Sequence, residues 1–264
     1  MKLATQDRGF FGSTYEQKLS KLKELGFEGL EIDGKSLIEN YSEIEKAVKA
    51  TGVSISSICG GYRGWIGDFD DEQRKLAIAD IGEIMKRTAE IGAAGVIAPA
   101  AFGIFSRKLP PFAPPRSAEV EREALLDSLS KLNDHALSTG SALLLEPLNR
   151  YEDHMINKLE DAASLIQEGG FRGVKVIADF FHMQIEERDI SASLRETGSL
   201  VAHVHLADSN RLQPGCGHTD FRKGFRTLKE IGFEGHMAVE CELAPGDGLQ
   251  AYAEMANYLK ACMQ

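Results

Sequence analysis

The chain, 264 residues long, predicts an α/β protein folded as a single (β/α)8 TIM barrel spanning residues 1–264. Three observations predict it. Eight short apolar or β-branched runs alternate strictly with longer amphipathic segments, the pattern of parallel strands joined by helical crossovers. Eight such units in a chain of about 250 residues match a closed barrel. A doubly wound open sheet needs fewer units and a glycine-rich phosphate turn, and no G-x-G-x-x-G opens a helix here.

The elements follow in order. Lys2–Thr5 reads as the first strand, and Tyr15–Leu25 as a helix with Leu19, Leu22 and Leu25 at helical spacing. Gly29–Ile32 and Ser54–Ile58 read as the next two strands. Glu72–Ile91 carries Leu76, Ile81, Ile84 and Met85 on one face, before a strand at Gly95–Ala100. Glu119–Leu137, with Leu125, Leu126, Leu129 and Leu132, leads into the strand Ala142–Glu146. Val174–Asp179, Val201–Leu206 and Met237–Glu240 complete the eight. Leu22-Lys23-Glu24-Leu25-Gly26-Phe27-Glu28-Gly29 recurs as Leu228-Lys229-Glu230-Ile231-Gly232-Phe233-Glu234-Gly235. Each copy ends a helix on a glycine suited to a left-handed cap and turns into a strand, the second and the eighth. Two connections are long, Gly60–Asp71 with the sole tryptophan and Ala101–Ser117 with Pro110, Pro111, Pro114 and Pro115. Both leave strand C-termini, the face where barrel enzymes build their sites, and are expected to wall or cover a pocket.

Composition excludes several classes of function. A net charge of −10 with no long Lys/Arg cluster disfavours a nucleic-acid surface, whose affinity comes mainly from phosphate neutralisation. The longest uncharged apolar stretch, Ile91–Phe105, is shorter than the ~18–20 residues of a membrane span and is broken by glycines and a proline. Charge arrives too early after Met1 for a secretory core, so a cytoplasmic location is expected. Cys59, Cys216, Cys241 and Cys262 form no C-x-x-C pair, which points to neither a zinc ribbon nor a disulfide framework.

Four ionisable residues fall at or beside the ends of four consecutive predicted strands: Glu146, Asp179, His205 and Glu240. They are spaced by about one βα unit, so a barrel brings them around one point on its C-terminal face. Singly, a glutamate at a strand end is a solvated rim residue, and a strand histidine is a hydrogen-bonded core residue. Four coincident placements define a site. Three gathered carboxylates would repel one another or take up protons, and a divalent cation resolves the conflict. Three oxygen donors and one imidazole suit a single ion, Mn2+ foremost, with Mg2+, Co2+ or Zn2+ as alternatives. His203 shares a face with His205 one layer down and is expected to support it. Beyond the strand ends, Asn149-Arg150-Tyr151-Glu152, His182 and Asn210-Arg211 add polar groups able to hold a polyol.

The strings Leu145-Glu146-Pro147-Leu148-Asn149-Arg150-Tyr151-Glu152, Ala178-Asp179-Phe180-Phe181-His182 and His203-Val204-His205-Leu206-Ala207-Asp208-Ser209-Asn210-Arg211 resemble the xylose-isomerase-like sugar isomerase/epimerase superfamily. They look most like its ketose 3-epimerases, of the D-tagatose/D-psicose and L-xylulose-5-phosphate types. The resemblance implies metal ligands at Glu146, Asp179, His205 and Glu240, and substrate-holding groups at Glu152, His182 and Arg211. It implies a small sugar or sugar phosphate as substrate and leaves a homodimer or homotetramer open. Endonuclease IV has a similar barrel but needs further histidines, and here the third and fourth strands end in Cys59 and Ala100.

The implied reaction is proton transfer at C3 of a ketose through a metal-stabilised enediolate, with Glu146 and Glu240 as catalytic groups on opposite faces of the sugar. Alternatives are a hydroxypyruvate-type aldose–ketose isomerase, a lyase acting on 3-keto-glycosides, and a metal-containing sugar-binding protein. Arg63, Arg211 and the Gly215-Cys216-Gly217-His218 turn are the candidate contacts for a phosphate.

Overall fold

In a computed structural model, which describes residues 1–103 and 113–264, eight parallel strands close into a barrel in sequence order. They are β1 (Lys2–Gln6), β2 (Gly29–Ile32), β3 (Ser54–Cys59), β4 (Val96–Pro99), β5 (Leu143–Glu146), β6 (Val174–Asp179), β7 (Val201–Leu206) and β8 (His236–Val239). Closure is made by β1, which pairs with β2 through Gln6↔Glu31 and with β8 through Leu3↔Met237. The outer ring consists of α1 (Tyr15–Leu25), α2 (Gly34–Glu39), α3 (Tyr41–Thr51), α4 (Asp71–Ile91), α5 (Ala118–Thr139), α6 (Leu159–Gly169), α7 (Phe180–Glu186), α8 (Ile190–Thr197), α9 (Phe221–Glu230) and α10 (Gly248–Met263). Among the described residues, no helix is long and apolar enough to cross a membrane.

The strands differ from the sequence reading by one residue or so at their ends. β8 stops at Val239, but Glu240 still donates its N–H to the Leu206 carbonyl at 3.1 Å, so it stays beside the sheet. β4 starts after Gly95, where an added Cβ would lie 2.5 Å from the Ala142 carbonyl oxygen. The repeated segment behaves as its glycines require. Gly26 and Gly232 have φ of 86° and 74°. In both copies the phenylalanine N–H reaches back over the helix end, Phe27 to Leu22 and Phe233 to Leu228, each at 2.9 Å. These are Schellman closures, which satisfy orphan carbonyls and aim the chain into β2 and β8.

Side chains of a strand alternate between two faces, and this alternation places the site. Leu143 and Leu145, Val176 and Ala178, Val204 and Leu206, and Met237 and Val239 face the helices and belong to the main apolar core. The alternate positions enter the lumen in two layers. Leu144 and Ile177 pack with Ile97 in a small apolar cluster low in the barrel. Glu146, Asp179 and His205 stand one layer higher. Of the proline-bearing connection, Pro110 and Pro111 lie outside the described residues. Its last part leads to Ser117, whose hydroxyl accepts the Val120 N–H at the start of α5 at 3.4 Å.

Candidate active site

At the C-terminal mouth of the barrel the structure brings Glu146, Asp179, His205 and Glu240 together. One ligand-capable atom from each lies within 4.8 Å of the other three. His205 Nδ1 stands 3.3 Å from Glu146 Oε1, 3.2 Å from Glu240 Oε2 and 3.8 Å from Asp179 Oδ2. Asp179 is held by its own chain: Oδ1 accepts the N–H groups of Phe181 and His182 at 2.6 and 3.1 Å, capping α7 and leaving Oδ2 for the cluster. Glu146 Oε1 and His205 Nδ1 are buried and have no hydrogen-bond partner. Buried polar atoms are normally satisfied, so two orphans facing one small volume make this cluster a candidate cation site.

The electrostatics follow from burial and crowding. Burial, together with the nearby Glu240 charge, raises the Glu146 carboxyl above its ordinary value, although His205 opposes the shift. Burial alone would lower His205, but the Glu31 and Glu240 carboxylates outweigh it and raise the imidazole well above the usual range. Burial likewise pushes against ionisation of Glu240, yet His205 and Arg211 hold it below the ordinary carboxylate range.

The three sequence-predicted sugar contacts all line one cavity of about 180 Å³ with Glu146 and Glu240. His182 Nδ1 accepts both the backbone N–H and the side-chain amide of Asn149, at 3.2 and 2.8 Å. Its proton is thereby placed on Nε2, which stands 3.7 Å from Asp179 Oδ2. Glu152 accepts the Asn149 amide at 3.1 Å. Arg150 turns away from the cavity and chelates Glu186, with both guanidinium bonds at 2.9 Å. Arg211 lies across the mouth, donating to Asp179 Oδ2 at 3.2 Å and Glu240 Oε2 at 2.6 Å, with its guanidinium 4.6 Å above the Phe181 ring. Arg211 is the one non-glycine with positive φ among the described residues, at 64°, a conformation characteristic of functional turns. The opposite wall is apolar and aromatic, formed by Tyr62, Trp65, Phe102 and Leu148.

Two candidate phosphate contacts are committed elsewhere. Arg63 forms a forked ion pair with Asp80, both bonds at 2.8 Å. In the turn after β7, the Gly215 N–H donates to Asp208 at 2.8 Å, the Cys216 N–H to the Gln213 carbonyl at 3.1 Å and the His218 N–H to the Ser209 hydroxyl at 3.2 Å.

Sequence reasoning missed Glu31. This carboxylate is 1% exposed, enters the lumen from β2, and receives bonds from His203, His205, Ser57 and Gln6. A lone charge inside the four-residue strand Gly29-Leu30-Glu31-Ile32 was the available signal. His203 supports His205 only indirectly. The two rings meet edge to face at 5.5 Å, and both bond Glu31.

Fold and cluster together define a barrel of the kind that carries an acid-rich, imidazole-containing site at its strand C-termini. The chain belongs to the xylose isomerase-like TIM barrel family, whose model matches residues 19–262. It is 42% identical over 262 residues to the 3-dehydro-D-guloside 4-epimerase of Escherichia coli, covering 99% of this chain and 100% of that relative. The D-psicose 3-epimerase of Enterocloster bolteae is 26% identical over 235 residues, covering 86% of this chain and 76% of the relative. The apo crystal structure of a 3-keto-D-glucoside 4-epimerase from E. coli superposes with a TM-score of 0.96 at 42% identity, over 99% of this chain and 100% of that one. A D-psicose 3-epimerase from Clostridium cellulolyticum shares the fold, with a TM-score of 0.81 at 21% identity over 100% and 97% of the two chains.

Proposed function

We propose that this chain is a divalent-metal-dependent sugar epimerase that inverts the carbon next to a ketone, and that its substrate is a 3-keto-glycoside inverted at C4. The observation that carries the reading is the four-group cluster with its two orphaned buried atoms, Glu146 Oε1 and His205 Nδ1. Three carboxylates and one imidazole are a donor set for Mn2+, Mg2+ or Co2+, so Glu146, Asp179, His205 and Glu240 would hold the ion. Bound there, such an ion supplies Lewis acidity that loosens the C–H bond beside the carbonyl.

The protein's own groups do the rest. Glu146 and Glu240 reach the same cavity from different strands, so one carboxylate takes the proton from the carbon and the other returns one to the opposite face. The His182 Nε2–H and the Arg211 guanidinium are donors for sugar oxygens, and Glu152 is an acceptor for a hydroxyl. The aromatic wall of Tyr62, Trp65 and Phe102 offers an apolar surface for a sugar face and its glycosidic substituent.

The 3-ketose reading replaces the 2-ketose one by a shift of one carbon. C3 of a 2-ketose and C4 of a 3-keto-glycoside are both α to the carbonyl, and the same pair of acids serves either. The full-length relative at 42% identity supports the second. A substrate without phosphate is supported by the engagement of Arg63 with Asp80 and of the turn amides with Asp208, Gln213 and Ser209.

The test is to incubate the Mn2+-loaded protein with methyl 3-keto-D-glucoside in D2O and follow it by NMR. The expected result is deuterium at C4 together with the C4 epimer. Release of methanol would identify a lyase instead. Exchange only into D-psicose or D-fructose at C3 would restore the 2-ketose reading, and no exchange into any of these sugars would overturn the epimerase reading.

A further inference from the structure

We infer that Glu31 is a positioning residue that sets which nitrogen of His205 faces the cluster and, through Gln6, which oxygen of Glu240 does. The inference rests on the metal-site reading above. Glu31 lies outside the four-group cluster. It comes from β2, across the lumen from β7. Both of its oxygens approach His205 Nε2, Oε1 at 3.1 Å and Oε2 at 3.0 Å. The same Oε2 accepts the Ser57 hydroxyl at 2.6 Å and sits 3.2 Å from His203 Nε2. An ionised carboxylate can only accept, so the proton of His205 is drawn to Nε2. Nδ1 is then the nitrogen left to offer a lone pair to an ion held with Glu146, Asp179 and Glu240. A lone pair facing three carboxylates is a stable arrangement only with a cation between them, and a carboxylate behind the imidazole is the usual way a ligating histidine is oriented.

Gln6 extends the same control to a second member of the cluster. Its amide nitrogen donates to Glu31 Oε1 at 3.1 Å and to Glu240 Oε1 at 2.8 Å. Glu240 is thereby turned so that Oε2, the oxygen 3.2 Å from His205 Nδ1, looks into the cluster. One carboxylate on β2 thus orients two of the four groups without entering the cavity they form. The alternative is that Glu31, His203 and His205, whose ligand-capable atoms also lie within 4.8 Å of one another, bind a second ion. Against it, the His205 Nε2 that such an ion would need already points at both Glu31 oxygens.

The experiment is calorimetric titration of Mn2+ into the wild type and Glu31→Gln, alongside the visible spectrum of each protein loaded with Co2+. A glutamine keeps the volume but offers an amide N–H where His205 needs an acceptor. The expected result is one site per chain in both proteins, with affinity about 10–100-fold weaker in the variant and a shifted Co2+ spectrum. Should the variant fail to fold, 15N NMR of the histidine-labelled, Zn2+-loaded wild type reads the same point, with the His205 proton expected on Nε2. Equal affinity within twofold and an unchanged spectrum would overturn the inference and leave the metal-site reading intact. Two ions in the wild type and one in the variant would do the same, whereas a proton on Nδ1 in the loaded protein would overturn both readings, since a protonated nitrogen cannot hold an ion. A wild type that binds no divalent ion would overturn both.

Discussion

Replacing Glu146 with glutamine should make the metal-free protein more stable and the metal-loaded protein less so. Glu146 is 5% exposed, its Oε1 has no hydrogen-bond partner, and its carboxyl is raised because burial penalises the charge. A buried polar group left unsatisfied costs about 1–3 kcal/mol. The neutral amide removes that cost and can donate to a neighbouring carboxylate, so Glu146→Gln should gain about 1–2 kcal/mol in EDTA. The gain belongs to the ionised carboxylate. It is therefore present at pH 8 and fades as the pH falls below the raised Glu146 value, where the wild type takes up its own proton.

Mn2+ reverses the order. An ion at a thousand times its Kd stabilises by about 4 kcal/mol, and the same concentration on a site weakened a hundredfold stabilises by only about 1.4 kcal/mol. Urea unfolding of both proteins at pH 8, with EDTA and with Mn2+, reads all four values, and turnover should fall about 10²–10⁴-fold in the variant. A variant less stable than wild type in EDTA, or one stabilised as much by Mn2+, would refute the reasoning.

Three further outcomes follow from the same structure. His236, close to Ser54 at the base of the barrel, is lowered to about 4 by burial, then by His203 and Lys2. The unfolded chain therefore binds the additional proton between about pH 6.5 and 4, so acidification through that window removes stability, about 1–3 kcal/mol in all. In His236→Gln the urea midpoint should vary less with pH across that window. Gly61→Ala should cost more than about 1–3 kcal/mol and raise the sugar KM. Its φ is 80°, and a Cβ would lie 2.5 Å from the Gly34 and Lys35 backbone nitrogens, displacing the loop that carries Tyr62 and Trp65; thermal melts and steady-state kinetics check both. Arg63→Ala should leave kcat/KM for the 3-keto-glycoside within about twofold, since an exposed ion pair contributes little and Asp80 holds the side chain away from the sugar.

The barrel was legible because its signal is local and repeated. Each strand is a short apolar run, and each is followed by a helix with its own periodicity. The four cluster residues were legible for a related reason: Glu146, Asp179 and Glu240 end apolar runs with a charge, and His205 nearly ends one, at unit spacing. Glu31 escaped because its meaning is entirely long-range. Its partners Ser57, Gln6, His203 and His205 come from three other strands, and no spacing within β2 points to them. The engagement of Arg63 was not legible because its partner, Asp80, lies 17 residues on, in the middle of α4. Nothing in Asn210-Arg211-Leu212 shows that Arg211 takes a left-handed backbone and lies on Phe181. The apolar wall could be placed at the mouth from its loop, but its meeting with Phe102 depends on the pairing of β3 with β4.

The pairing of β1 with both β2 and β8 carries a consequence for biogenesis. Gln6 belongs to the first strand, Glu31 to the second, and Glu240 follows the last, yet these three share one chain of hydrogen bonds. A nascent polypeptide whose final strand is still in the ribosomal tunnel has no complete cradle to offer. Competence therefore arrives late and all at once, when the C-terminal edge returns to the N-terminal one.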